Sequence, residues 1–191
     1  FDKMYKTSLI LLSVVALAAC GLYDNVGQCT DALLNARLKT FDLQEISNSG
    51  NYEYFYSTGL QGVKCATAMI FGDEVLGYRG SATLFPRDGG KGQSTFYSLK
   101  YDGEGIIDES IEIDGITYDF KLVVLNWDVK HQVFYYARCS EEGKSTSDTR
   151  SIVISKCNKR SSKAKNIAKQ WADEDAAAGF LGSPLTPTPH C

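Results

Sequence analysis

The residues of this chain that could carry out chemistry are few, and their spacing does not match a catalytic site. Its two histidines are His131, in a predicted turn, and His190, in the C-terminal tail. Serine, histidine and acidic residues all occur, but they share no arrangement of the kind that nucleophilic catalysis needs. We therefore predict that the protein is not an enzyme and that both histidines are surface residues.

Two charged segments are the next candidates. The acidic segment lacks the spacing of a calcium-binding loop, so a solvated face is expected there and no metal site. The basic segment crosses the start of a predicted helix, where a solvated face is favoured and contact with an anionic partner is the alternative. The net charge of −3 is too small to indicate nucleic-acid binding. The acidic residues are Asp102, Glu104, Asp108, Glu109, Glu112 and Asp114, and the basic ones are Lys156, Lys159, Arg160, Lys163, Lys165 and Lys169.

Eight short runs with the composition of β-strands follow one another in the middle of the chain, separated by turn residues. Asp114-Gly115 is the clearest hairpin signal among these turns. Aromatic residues are frequent in the runs and suit a pleated, half-buried surface. The predicted strands cover residues 50–56, 64–71, 75–85, 94–101, 106–113, 116–125, 132–139 and 150–157.

One amphipathic helix follows the last strand. It starts after Ser161 and Ser162, which are good N-cap residues. Its apolar stripe, at helical spacing, consists of Ala164, Ile167, Ala168 and Trp171. The whole order predicts an all-β fold, an eight-stranded antiparallel up-and-down barrel with one C-terminal α-helix packed outside. Such a barrel has an interior about wide enough for one small ligand.

The N-terminus has the pattern of a secretory signal peptide. Lys6 supplies a basic residue, the run 9–17 is apolar apart from Ser13, and small residues precede Cys20. The run is shorter than the roughly 20 residues that cross a bilayer, so no membrane span is expected. We predict a secreted, extracellular protein in which residues 1–20 are upstream residues and signal peptide and residues 21–191 form one domain. A lipid anchor on Cys20 is the alternative, because the residues before it resemble a bacterial lipobox.

Secretion permits disulfide bonds, and the chain has six cysteines. If signal cleavage removes Cys20, five cysteines remain and one thiol is odd; if Cys20 is retained, all six could pair. The sequence alone does not choose among the connectivities. The cysteines are Cys20, Cys29, Cys65, Cys139, Cys157 and Cys191.

The order of these elements and three short motifs resemble those of lipocalins, in particular the insect salivary branch of triabin, pallidipin and the nitrophorins. Gly50-Asn51-Tyr52 stands where the family has Gly-x-Trp on its first strand. Leu125-Asn126-Trp127-Asp128 stands where the Thr-Asp-Tyr motif joins the sixth and seventh strands. Cys139 ends the seventh strand, as a cysteine does in the insect members. The resemblance covers residues 29–191 and rests on order and spacing more than on identity.

The resemblance implies two disulfide bonds and a closed barrel floor. The disulfides are Cys29–Cys139 and Cys65–Cys191, which leave Cys157 free or paired with Cys20. The floor is formed by Tyr52, which replaces the family's Trp, against Lys156, which replaces the family's Arg, or against Arg160. A cation over an aromatic face supplies this contact.

The same resemblance gives a set of ligand-binding residues. If Tyr52 points inward, the two-residue period of a strand places Tyr54 and Tyr56 inside, and an inward Lys156 does the same for Ile152 and Arg150. On the seventh strand we favour Phe134, Tyr136 and Arg138 over the opposite face of Val133, Tyr135 and Ala137. The arginines at the mouth either hold a carboxylate or reach solvent. The predicted ligand-binding residues are Tyr54, Tyr56, Phe134, Tyr136, Arg138, Arg150 and Ile152.

The implied function is that of a secreted lipocalin that binds or scavenges a small hydrophobic or amphipathic ligand, such as a lipid mediator or a pigment. The alternative is a salivary anti-haemostatic inhibitor that binds a host protein through its loops and holds no small ligand. No cofactor is expected, because nitrophorins bind haem through a pocket histidine that no residue here matches. A carrier should have an open, mostly apolar pocket, whereas an inhibitor could fill its barrel.

Overall fold

The computed structural model describes residues 26–60, 62–113, 115–143, 149–180 and 182–191. The predicted signal peptide, Cys20 and Asp114 lie outside these residues. The helices are α1 (Asp31–Asn35), α2 (Leu43–Asn48) and α3 (Ser162–Ala177). The strands are β1 (Asn51–Ser57), β2 (Val63–Asp73), β3 (Gly77–Pro86), β4 (Gln93–Tyr101), β5 (Ile106–Ile113), β6 (Ile116–Asp128), β7 (Val133–Cys139), β8 (Thr149–Ser155) and the two-residue β9 (Thr186–Pro187).

Eight strands form a closed antiparallel barrel of up-and-down order. Each of β2 to β8 pairs with its neighbour in the chain, β1 pairs with β8, and β1 also pairs with β2 to close the sheet. Each predicted strand is present with its ends moved by at most a few residues, and α3 packs outside the barrel as predicted. The predicted fold class is therefore confirmed, with β9 added outside the eight strands.

The floor of the barrel, the end at which β1 begins, is closed by α2 and by Tyr52. The Tyr52 side chain is buried, and its hydroxyl donates a hydrogen bond of 2.8 Å to the Ile46 carbonyl oxygen. Its ring lies 6.5 Å from the ring of Phe134, centroid to centroid. The predicted partners Lys156 and Arg160 are wrong: β8 ends at Ser155, and both cations are exposed beyond it. A helix therefore covers Tyr52 where the resemblance implied a cation.

The outer side of β1, β7 and β8 is covered by α3. Ser161 caps the helix, and its hydroxyl accepts a hydrogen bond from the Ala164 amide. The buried residues of the predicted apolar stripe, Ala164, Ala168 and Trp171, pack against Phe55, Val133, Tyr135, Ile152 and Ile154. The helix therefore forms a second core outside the barrel wall.

Two disulfide bonds fasten the segments before α1 and after α3 to the barrel. Cys29–Cys139 holds the segment before α1 to the end of β7, and Cys65–Cys191 holds the tail to β2. Both pairs are those that the resemblance implies, and Cys157 is exposed and in neither of them. Because they close loops with sequence separations of 110 and 126, each contributes about 4–5 kcal/mol in the chain-entropy model.

The C-terminal tail pairs with β1 where β1 no longer pairs with β2. The two strands pair only over Asn51 to Glu53, and the outer half of β1 pairs with β9 instead. Glu53 is buried under this tail and accepts hydrogen bonds from Lys159 Nζ (2.8 Å) and the Cys191 amide (3.0 Å). His190 Nδ1 lies 3.2 Å from the same carboxylate. Burial alone would raise the pKa of Glu53, but Lys159, the Cys191 amide and His190 together hold it below its ordinary value.

We expect the Glu53 carboxylate to contribute to stability in a way that is lost in acid. Because the native pKa of Glu53 is lowered, its contribution is complete above the unfolded-state value of about 4.3 and is lost as the pH falls through the native pKa. Urea unfolding of wild type and Glu53→Gln, from neutral pH to about pH 3, should show a stability difference that shrinks on acidification. The exposed Glu112→Gln is the matched control and should show no such trend. A Glu53→Gln difference that stays constant over this range would contradict the assignment.

Candidate functional site

The barrel interior is lined by aromatic and aliphatic side chains and contains a cavity of about 40 Å³. This is far below the roughly 300 Å³ of the smallest typical ligand pockets. Most of the interior is therefore filled by side chains, and the described residues around this cavity do not form the open pocket expected of a carrier. The residues around the cavity are Tyr52, Tyr54, Ala68, Met69, Ile70, Gly80, Ser81, Ala82, Tyr97, Leu99, Glu109, Leu122, Phe134, Tyr136, Arg138 and Val153.

An ion pair lies inside the barrel, between β5 and β7. Arg138 donates from Nε to Glu109 Oε2 (2.6 Å) and from Nη2 to Oε1 (3.0 Å), a bidentate contact. The side chains are 15% and 3% exposed, respectively. The guanidinium carbon lies 5.5 Å from the Tyr97 ring centroid and 5.9 Å from that of Phe120. Burial alone would lower the pKa of Arg138, but the charge of Glu109 raises it well above its ordinary value, so the pair stays ionised.

Two tyrosines add a second polar contact beside the ion pair. The hydroxyl oxygens of Tyr54 and Tyr136 are 2.7 Å apart and share a hydrogen bond. The Tyr136 ring stacks on Phe134 with centroids 5.2 Å apart. Burial raises the pKa of both hydroxyls, so both remain protonated and can donate. Two hydroxyls, one carboxylate and one guanidinium therefore meet in a largely aromatic and aliphatic interior.

A wider groove of about 780 Å³ lies toward the mouth, the end at which β7 finishes, and it is lined by residues from both the inward and the outward faces of β5 and β6. Glu109 lines both this groove and the inner cavity, so the ion pair lies at the boundary between them. Val26, in the segment that precedes α1, is buried against the interior cluster and forms part of the groove. The other lining residues are Asp108, Ser110, Thr117, Tyr118, Asp119, Phe120, Lys121, Ser140, Glu141, Glu142 and Gly143.

Comparison with solved structures identifies the fold. Insecticyanin from the tobacco hornworm Manduca sexta is 16% identical and superposes with a TM-score of 0.60 over 83% of this chain and 86% of its own. The cockroach allergen Per a 4 is 10% identical, with a TM-score of 0.61 over 86% and 95%. The fold is that of a lipocalin. A further lipocalin-like structure, the complex of LTBP1 with LTC4, is 11% identical, with a TM-score of 0.56 over 88% and 99%.

Sequence comparison adds nothing to the structural likeness. No protein-family model matches the chain, and no curated protein matches it. In the part of the chain that the structure describes, no helix is long and apolar enough to cross a membrane. The same described residues contain no group of three or more His, Cys, Asp or Glu side chains placed to hold a metal ion.

Four of the seven predicted ligand-binding residues lie inside this lipocalin barrel. Tyr54, Phe134, Tyr136 and Arg138 all line the cavity. Phe134 and Tyr136 pair with Val153 and Ser151 across β7 and β8. Since directly opposed residues share a face of the sheet, the inward face of β8 carries Ser151 and Val153.

The other three, Tyr56, Arg150 and Ile152, do not line the cavity, and their predicted places are wrong. Their predicted places assume that Lys156 lies on β8 and points inward. In the structure β8 ends at Ser155, one residue earlier, and Arg150 and Ile152 lie on the outward face. On β1 a bulge between Tyr54 and Tyr56 changes the phase, and Tyr56 packs with the cluster beneath α3. A β-bulge leaves no dependable signal in one sequence, since it inserts a single residue.

Glu109 is a site residue that sequence reasoning missed. The charge pattern predicts a solvated acidic segment there, yet Glu109 is buried and paired with Arg138. The alternation of β5 contains the signal, because Ile107, Glu109 and Ile111 share one face and both isoleucines are buried. A carboxylate between two apolar residues of the same phase indicates an inward charge.

Arg150 has a structural place outside the barrel, between the wall and α3. Its Nε donates to Asp175 Oδ1 (2.7 Å) and its Nη2 to Asp175 Oδ2 (3.3 Å) and the Ser183 carbonyl oxygen (3.0 Å). The Tyr135 hydroxyl also donates to Asp175. The Arg150 and Asp175 side chains are 2% and 1% exposed. The pair joins β8 to the C-terminal end of α3 and to the tail.

We expect that breaking this pair lowers the stability of the protein. Asp175→Ala leaves a buried guanidinium without its carboxylate, and breaking a buried pair in this way costs about 3–5 kcal/mol. Asp173→Ala, on the same helix, removes only an exposed partner of Lys169 and is the matched control. Urea unfolding should show a large loss for Asp175→Ala and little change for Asp173→Ala. Equal losses would contradict the structural role of Arg150.

Proposed function

We propose that this protein is a secreted lipocalin of the insect salivary branch that binds a small amphipathic molecule in its barrel. The observation that carries the proposal is the convergence of Tyr54, Tyr136, Glu109 and Arg138 on one cavity in an aromatic interior. Burying an ion pair costs desolvation that apolar residues of the same volume avoid. Unlike the structural pair of Arg150 and Asp175, this pair lines a cavity and is placed where a ligand could contact it. Apolar walls with a few convergent polar groups are typical of ligand sites.

The size of the two spaces determines how a ligand would enter. The cavity of about 40 Å³ has room for a few atoms, whereas the groove of about 780 Å³ at the mouth is of ordinary ligand size. A ligand would place its polar head at the ion pair and its apolar body among the rings of Tyr97 and Phe120, with side-chain rotation widening the cavity. Apolar burial would supply most of the affinity.

Secretion and a mediator or pigment as ligand are supported indirectly. Two long-range disulfides are typical of proteins from oxidising compartments. One structure with this fold was determined as a complex of LTBP1 with LTC4. An apolar body would suit the aromatic walls of the cavity here, and a polar head would suit the ion pair.

A second candidate function is binding of a host protein through the loops. Its supporting observation is the filled interior, together with Val75 and Leu76, which are 92% and 81% exposed at the turn between β2 and β3. A barrel whose interior is occupied by its own side chains can serve as a rigid support for such a surface.

Calorimetric titration with fatty acids, fatty alcohols and fatty amides of one chain length tests the proposal. At least one of them should bind wild type, and Ala82→Leu, which fills the cavity, should weaken that binding. Thr83→Val is the matched control, since Thr83 is the next residue of β3 and does not line the cavity. Equal affinity in Ala82→Leu and wild type would place the ligand outside the barrel. Absence of binding by the whole panel would favour the second candidate.

A further inference from the structure

The charge balance of the interior restricts which ligands can bind. Of the described residues that line the cavity, Glu109 and Arg138 alone carry formal charge at neutral pH, one negative and one positive. Arg150, the second cation expected at the mouth, lies outside the wall against Asp175. The sequence predicts two arginines at the mouth, but the interior instead contains one arginine whose charge is balanced by Glu109. The reason to expect a carboxylate ligand is therefore removed.

A charged ligand head would have to break this pair. A carboxylate that takes the place of Glu109 on Arg138 leaves the Glu109 carboxylate buried and unpaired, since that side chain is only 3% exposed. An ammonium group that takes the place of Arg138 leaves a buried guanidinium in the same position. A charge buried without a partner is costly, so the cost of leaving the displaced partner unpaired cancels the favourable free energy of the new ion pair.

An uncharged head can bind without breaking the pair. The bidentate contact engages two N–H groups of Arg138 out of the five that a guanidinium carries, and a carboxylate accepts more than the two hydrogen bonds it receives here. A head with an acceptor beside a donor can contact Arg138 and Glu109 at the same time. The hydroxyls of Tyr54 and Tyr136 lie on the same cavity and extend this polar surface.

We propose that the barrel selects ligands whose polar head is uncharged and carries a hydrogen-bond donor beside an acceptor. The primary carboxamide is the simplest such head. The selection rests on the proposed function, because it describes the ligand of that same site.

Three probes with one tail and different heads test the selection: decanamide, decanoate and decylamine. Calorimetric titration into wild type should rank decanamide first, by roughly tenfold to hundredfold over both ions, the value of one charged hydrogen bond. Glu109→Gln leaves Arg138 as an uncompensated cation and should move the preference to decanoate. Arg138→Gln leaves Glu109 uncompensated and should move it to decylamine. Glu112→Gln, an exposed change on the same strand, should keep the wild-type ranking.

The wild-type ranking is sufficient to decide, even if a variant does not fold. Decanoate or decylamine binding wild type as tightly as decanamide would overturn the selection while leaving small-molecule binding intact. A ranking that is the same in wild type and in folded Glu109→Gln would show that the pair does not contact the head. Failure of all three probes to bind wild type, in a protein that unfolds cooperatively, would overturn the selection together with barrel binding.

Discussion

The alternation of side chains across a closed sheet is the constraint on which the rest of this structure depends. Every strand of the barrel sends one set of residues inward and the next set outward, so each segment must satisfy two environments. The inward set forms the aromatic interior around Tyr54, Phe134 and Tyr136. The outward set of β1, β7 and β8 forms a second core with α3. A shift of one residue in any strand would exchange these two sets.

The two buried arginine pairs show how much depends on this phase. Arg138 and Arg150 lie on neighbouring strands, one residue out of register, and face opposite sides of the wall. Arg138 meets Glu109 inside the barrel, and Arg150 meets Asp175 outside it. The outer pair, Arg150 with Asp175, links the barrel, α3 and the tail, so its role is structural. The inner pair joins β5 to β7 across a cavity, in a position where apolar residues would serve stability as well.

The sequence predicted those features that depend on local pattern. The eight strands, α3 with its Ser161 cap and its apolar stripe follow from periodicity and capping, and the two disulfides follow from the family resemblance. The features that it did not predict depend on tertiary detail. The bulge in β1, the end of β8 before Lys156 and the helix over Tyr52 each change which side chains meet, with no signal in composition. The inward position of Glu109 could have been predicted, because Glu109 shares the inward phase of β5 with the buried isoleucines.

Native mass spectrometry of the protein isolated from its source tests most directly whether this interior is a binding site. The account predicts that the folded protein carries a small molecule, seen as a mass above that of the polypeptide itself with the disulfides Cys29–Cys139 and Cys65–Cys191. Denaturation should release this molecule, and its head group should be uncharged. A folded protein whose mass equals that of the polypeptide alone, before and after denaturation, would contradict the account.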